Sequence, residues 1–561
     1  MIGILACAAL GCEKSTAPTG PTADLLILNG HVYTADQPGT IAQAVAIVGN
    51  TIVRVGSNSA LIALQGPATR VIDARGGTVA PGFNDSHVHF LDGGLALGDV
   101  DLAGLTSLRA VQDEIRAFAA AKPQNAWIVG QGWLYAAFPG GTPTKEQLDA
   151  VVANRPAVMN CYDGHSIWVN SKALALAGVT RSTPNPTNGI IVKDPRTGEP
   201  TGHLKEAAAD LVQRVMPKPG ETERRAALRA AVAEAHRVGV TSIQNAGSSL
   251  DEVALYDQAK AAGDLRVRTY LALSASEATT AADLDRMDAA WKRLDDDPTL
   301  KTGAVKIFAD GVIESRTAAM LQPYVKSTTA GSPNLSAAAL TRLVTMIDRR
   351  GWQIFIHAIG DRAIRMALDA FEQAQRVNPA PARGRRHRLE HIETIDSADI
   401  PRFGRLGVIA SQQPVHVQLG DMNSTAPSGP WPDNLGAERA SRGWVWKSIE
   451  DAGGRSTFGS DWPVAPLAAT QGIWLAATRI GPPNAVPQRL PMRLAIDGYT
   501  RWPAYASFEE QRKGTLAEGM LADVVVLSTN LLAETPAKAA DIVVDATIFD
   551  GQVVYERARS R

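Results

Sequence analysis

The feature that most restricts the fold is an alternation of two patterns. Short apolar runs recur along the middle of the chain: TVAPGFNDSHVHF, VTSIQNAG, LRVRTYLAL, TGAVKIFADG, GWQIFIHAIG, RHRLEHIE, GVIASQQP and RSTFGSD. Runs this uniformly apolar fit strands buried on both faces. Between them, stretches such as ERRAALRAAVAEAHRVG and AIRMALDAFEQAQR have helical spacing and length. Repeated strand–helix units predict an α/β fold, a TIM-like (β/α)₈ barrel.

The two ends read differently. From Leu25 to Asp73 the chain breaks into short strands with Asn-Gly and Gly-Asn turns, a hairpin signal. LADVVVLS and DIVVDATIFDGQVVYE behave alike near the C-terminus. The expectation is one small β-sandwich domain, 23–80 plus 505–561, wrapped around a barrel over 81–504. About 150 residues separate the first barrel strand from the second, near Thr241, which is too long for a barrel connection. Residues 97–215 therefore read as an inserted lid subdomain over the mouth.

A formal net charge of -1 argues against a nucleic-acid surface or a polybasic membrane patch. The three cysteines, Cys7, Cys12 and Cys161, exclude a disulfide scaffold, and Cys161 reads as a small buried hydrophobe. Residues 1–22 look like a secretion signal and linker. ALGC resembles a lipoprotein cleavage box with Cys12 lipidated, and ILAC ending at Cys7 is the second choice. The segment lacks a basic start, and a disordered apolar tail is the alternative. The expectation is an exported protein, periplasmic or held at the membrane by a lipid anchor. No later run reaches the roughly 18–20 apolar residues of a membrane span.

Chemistry concentrates at strand ends, where barrel active sites lie. GFNDSHVHF carries two of the chain's 10 histidines, His87 and His89. Alternate residues of a strand share a face, so both imidazoles suit one ion, at about 2.0–2.1 Å if it is zinc. Lys306 lies inside an apolar strand, His357 and His391 end two others, and Asp461 follows the last. Each has a plain alternative: a hydrogen-bonded surface histidine, a helix cap for Asp461, or a Lys306–Asp310 pair. Independent accidents do not explain five separate strand ends.

With PGFNDSHVHF, DGHSIWVNSKAL, GEPTGHLKEAA, VKIFADG with SRTA, IHAIGDRA, RLEHIE, FGSDWPV and GMLADVVVL in place, the chain resembles the amidohydrolase superfamily. The similarity is to its family-3 branch, related to N-substituted formamide deformylases, and runs from about Asp24 to the C-terminus. DGVIESRTA departs at Ile313-Glu314 from the Asp-Gly-Ser-Leu-Gly-Ser common in relatives, which bears on substrate contacts. The resemblance implies a metal-dependent hydrolase with two divalent ions, zinc being the first choice. His87, His89 and Asp461 would hold one ion, and His357 and His391 the other. A carboxylated Lys306 would bridge them. A hydroxide held between the ions would attack a carbonyl, with Asp461 moving the proton to the leaving nitrogen.

The lid would supply specificity. His165 would donate to the oxyanion or the substrate, with packing against Trp168 as the alternative. Trp133, Tyr162, Trp168 and Trp462 would line an apolar pocket, with ordinary core packing the plain reading of each. Glu206 matches the resemblance without a derived role. The leading function is hydrolysis of a C–N bond in a small-molecule acyclic amide or N-substituted formamide. Alternatives are a cyclic amide, ester or carbamate on the same site, or, in another class, a non-catalytic ligand-binding lipoprotein. The oligomeric state stays open, a homodimer included.

Overall fold

The computed structural model describes residues 22–36, 41–420, 422–482, 485–533 and 535–558. The leader and its two cysteines lie outside the described residues.

Eight parallel strands form the central sheet: β1 (Phe83–Val88), β2 (Val240–Ser248), β3 (Arg268–Ser274), β4 (Leu300–Phe308), β5 (Gln353–Ala358), β6 (Arg388–His391), β7 (Ile409–Gln412) and β8 (Arg455–Phe458). They pair in chain order, and each falls on one of the eight apolar runs. Helices fill the connections, as in α1 (Glu221–Arg237) and α2 (Asp361–Val377). In α2, Ile364, Ala367, Leu368, Phe371 and Ala374 are buried, the i, i+3, i+4, i+7 stripe of a helix packed on a sheet.

The barrel closes between β8 and β1 through intermediaries rather than a full ladder. The Gly498 carbonyl accepts from Phe458 N at 2.8 Å, and the Tyr499 carbonyl accepts from Asn84 N at 2.7 Å. Further up, Asp461 N donates to the His87 carbonyl at 2.7 Å, and His89 N donates to the Trp462 carbonyl at 2.8 Å. The buried Asp85 carboxylate accepts from Ser460 N and His87 N at 3.0 and 3.1 Å. Gly459 allows this approach, since a Cβ there would sit 2.5 Å from His87 N.

Both termini build two further sheets. One contains Ala23–Leu28, Ala44–Val48, Thr51–Gly56 and Gln65–Asp73. The other joins His31–Tyr33 and Thr78–Pro81 to Val524–Leu527, Val544–Phe549 and Gln552–Glu556. Leu25, Ile27, Val45, Val524 and Ile548 share one core between them. Gly49-Asn50 and Asp550-Gly551 are two-residue hairpin turns, with positive φ at Gly49, Asp550 and Gly551. Asn29-Gly30 is not a hairpin: it carries the chain from the first sheet to the second.

A six-stranded sheet spanning Val100–Asp101 to Pro200–Glu206 forms the insertion between β1 and α1. It has its own core, with Val111, Ile115, Trp133 and Trp168 fully buried.

The barrel is pinned to the terminal sheets by a buried ion pair. Arg268, at the start of β3, donates to both Asp523 oxygens at 2.5 and 3.0 Å, and also to Asp550 at 2.9 Å. Asp523→Ala leaves a buried guanidinium short of its bidentate partner. It should lower stability by about 3–5 kcal/mol, read as a fall in the urea midpoint. An unchanged midpoint would show that the pair does not hold the two units together.

Candidate metal centre

The strand ends deliver their side chains to one cavity of about 310 Å³. His89, Lys306, His357, His391 and Asp461 all face it, from β1, β4, β5, β6 and the turn after β8. His87 lies just beneath. Its Nε2 and the Nε2 of His89 each stand 3.3 Å from Asp461 Oδ1. Neither His87 Nε2 nor Asp461 Oδ1 has a hydrogen-bond partner, although both are buried. Buried, unpaired donors converging on one point fit a divalent cation, for which imidazole and carboxylate are suitable ligands.

A second group uses the other oxygen of Asp461. His391 Nδ1 is 3.8 Å and His416 Nε2 3.9 Å from Asp461 Oδ2. His416 was not anticipated. It sits in a short turn, His416–Leu419, beyond the end of β7. Its signal was the same as the others, a histidine following an apolar strand, but offset by four residues. His357 lies beside His391, with ring centroids 4.5 Å apart, and its Nε2 donates to the Gly311 carbonyl at 3.2 Å. Burial holds the pKa of both His357 and His391 well below the ordinary range. They are neutral imidazoles, the form that binds metal.

Lys306 is 1% exposed, and its Nζ has no hydrogen-bond partner. Burial lowers its pKa to about 8. The alternative pair with Asp310 does not form. Asp310 instead accepts from the backbone N–H groups of Ala319, Ile359 and Gly360, at 2.9–3.0 Å. Asp461 is not a helix cap. Burial would raise its pKa, but the adjoining His87, with His89 and His391, holds it well below the carboxylate range.

Beneath the cluster, His87 Nδ1 faces Glu390 Oε2 at 2.5 Å. Arg388 donates to both oxygens of Glu390, at 2.9 and 3.0 Å. Burial would raise Glu390, but Arg388 and His87 bring it down to about 2, so it is a carboxylate. The arrangement fixes the His87 proton on Nδ1 and turns Nε2 to the cavity. Glu390 lies in RLEHIE, but only its neighbour His391 stood out in the sequence.

The lid adds a donor from above. His165 faces the cavity, and its Nδ1 is 2.9 Å from Glu206 Oε2. Burial would lower its pKa, yet the Glu206 carboxylate and then Asp163 raise it to about 9. His165 is therefore an imidazolium that can donate to substrate. This gives Glu206 its role. Tyr162 also lines the cavity, its hydroxyl donating to Glu314 at 2.8 Å.

Three of the four expected wall residues do not line this cavity. Trp133 and Trp168 are fully buried in the lid, packed on Phe138, because their indole N–H groups find the carbonyls of Met159 and Thr144. Trp462 packs against Phe90 and lines a neighbouring cavity of about 290 Å³. That cavity shares Tyr162, Leu419, Pro463 and Val464 with the first.

Since Glu390 aims His87, Glu390→Gln should weaken divalent-metal binding by about 10–100-fold. Chelator competition followed by metal analysis reads this directly. Equal retention by variant and parent would mean that Glu390 serves only the barrel interior.

Comparison with known proteins gives a consistent account of this geometry. The amidohydrolase family profile Amidohydro_3 matches residues 70–555. The protein LONG AFTER FAR-RED 3 of Arabidopsis thaliana is 33% identical over 567 residues, covering 97% of this chain and 93% of its own. The N-substituted formamide deformylase of Arthrobacter pascens is 28% identical over 558 residues, covering 96% and 99%. Among solved structures, a metal-dependent hydrolase of Pyrococcus furiosus shares the fold, with TM-score 0.69, 24% identity and coverage of 91% of this chain and 99% of that one. A match of that extent shows that this chain belongs to the amidohydrolase family and is a metal-dependent hydrolase.

Proposed function

We propose that the chain hydrolyses the C–N bond of an acyclic amide or N-substituted formamide, with a pair of divalent ions, zinc by preference, at the barrel mouth. The observation that carries this reading is the convergence of unpaired donors: His87 and His89 on one oxygen of Asp461, with Lys306 Nζ buried and unpartnered beside them. The deformylase among the relatives supports the substrate class.

When bound, such ions supply Lewis-acid polarisation of a carbonyl and a lowered pKa for water. His87, His89 and Asp461 are the ligands proposed for one ion. His391 and His357 are proposed for the other, which requires His357 Nε2 to leave the Gly311 carbonyl. Lys306, as a carbamate, would offer carboxylate oxygens to this site. Its neutral amine adds to carbon dioxide and loses a proton, which places a carboxylate between the ligand groups. An apolar strand interior favours this, because an ammonium there is poorly solvated and faces cations.

The remaining steps belong to side chains. His165 donates an N–H to the substrate carbonyl oxygen and stabilises the charge that develops on it. Asp461 takes a proton from the attacking water and passes it to the departing nitrogen, which leaves as an amine.

The test combines metal analysis with a substrate panel of N-substituted formamides, N-acyl amino acids and cyclic ureides. Zinc-loaded protein should turn over the formamides best. Lys306→Ala should lose at least one metal and most activity, with partial rescue by short carboxylic acids. Asp461→Asn should reduce kcat by about 10²–10⁴-fold. Preference for cyclic ureides would move the reading to ring-opening hydrolysis. Metal binding with no turnover of any member of the panel would sink it.

A further inference from the structure

The cavity beside Trp462, of about 290 Å³, has no part in the chemistry described so far. It abuts the metal-competent one, since Tyr162, Leu419, Pro463 and Val464 line both. Pro463 and Val464 belong to the turn that carries Asp461, where Val464 N donates to the Asp461 carbonyl at 2.8 Å. The partition between the two cavities is therefore built partly from the segment that presents a proposed metal ligand. Tyr162 is held in that partition by its hydrogen bond to Glu314.

The two cavities differ in chemistry. Lys306, His416 and Asp461, which line the first, carry buried polar atoms without hydrogen-bond partners. Among the described residues, no such atom belongs to the lining of the second. Its acids are occupied: Asp99 accepts from Gln131 Nε2 at 3.1 Å, Asp101 from Ala103 N at 3.0 Å, and Glu234 from Arg237 at 2.6 and 2.7 Å. What stays open is apolar. Leu97, just past the helix Phe90–Ala96, is 51% exposed, and Leu134 and Val464 are half-buried. Apolar walls left facing water favour an apolar occupant. A space of about 150 Å³ holds a benzene ring, so this one has room for a chain of about eight carbons. An occupant that also reaches the metal-competent cluster is attached to the scissile group. A formamide bears only hydrogen on its acyl side, so that attachment runs through nitrogen. The partition, stiffened by a proline ring and a tethered tyrosine, suits a slender chain.

We propose that the second cavity is the subsite for the N-substituent of the substrate, an unbranched alkyl arm, and that Leu97 and Leu134 are its specificity-determining residues. The word substrate rests on the amide-hydrolysis reading above; the apolar subsite does not.

The test uses zinc-loaded, full-length protein with N-butyl-, N-hexyl- and N-octylformamide. In wild type, kcat/KM should rise about two- to fourfold for each added methylene, the scale of burying one CH₂. Leu97→Asn removes apolar wall, and Ala103→Trp fills the space from its exposed rim. Each should lower the octyl-to-butyl ratio about fivefold or more. Leu176→Asn, at an exposed lid leucine outside both cavities, should keep the wild-type ratio. Calorimetry with 1-hexanol and 1-butanol provides an arm without turnover. Tighter binding of hexanol, lost in Ala103→Trp, would uphold the subsite even if no formamide is cleaved, and the amide reading alone would then fail. A flat kcat/KM across the wild-type series would overturn the subsite, as would a ratio unmoved in both folded variants. Without turnover, equal binding of the two alcohols would overturn it. The wild-type comparisons need no variant to fold.

Discussion

A guanidinium with no exposure to solvent sits at the base of the metal-competent cluster. Arg388 begins β6 and points into the barrel, stacked over the Phe355 ring at 3.8 Å. Taking this charge out of water costs several kcal/mol, about what a full set of partners returns. The set is complete: both oxygens of Glu390, the Ser86 carbonyl on β1, Ser411 on β7 and Gln244 on β2. Three strands besides its own are thereby fixed around one side chain. The same contacts aim Glu390 at His87, and His87 at Asp461. Strand register and ligand orientation thus depend on one ionic layer.

Above that layer, burial sets the charge of each group by a different route. His357 and His391 are kept neutral by burial first and then by the positive groups that neighbour them. Asp461 is kept ionised in spite of burial, chiefly by His87 and then by His89 beside it. Lys306 is drawn toward neutrality by the same burial. The result is a pocket of lone pairs and carboxylate oxygens with few cations of its own, which is the electrostatic requirement of a divalent-ion site.

The lid is coupled to this centre through two acid contacts. Glu206, at the end of a lid strand, bonds His165 and also accepts from Thr317 in the loop after β4. Tyr162 bonds Glu314 in that same loop. One barrel loop therefore positions both the imidazolium over the cluster and the far wall of the cavity. The proposed oxyanion donor His165 and the cavity-lining Tyr162 are thus both tied to the segment 310–317.

The sequence by itself determined the barrel and the histidine pair. Period and apolar content specify buried parallel strands locally, and every one of the eight apolar runs became a barrel strand. His87 and His89 share a face because alternation along a strand is a property of the backbone. Lys306, His357, His391 and Asp461 were legible for a related reason: strand ends in a barrel converge whatever their separation in the chain. Tertiary structure decided the rest, where neighbours come from distant segments. His416 enters through a turn past its strand, and Glu390 matters because Arg388 and His87 meet it across the interior. Trp133 and Trp168 looked like pocket walls, but the lid's own sheet supplied their indole partners and enclosed them. Glu314 marked itself only as a departure from a pattern. Its position facing Tyr162 depends on how the lid settles over the barrel, and no local period in the chain encodes that packing.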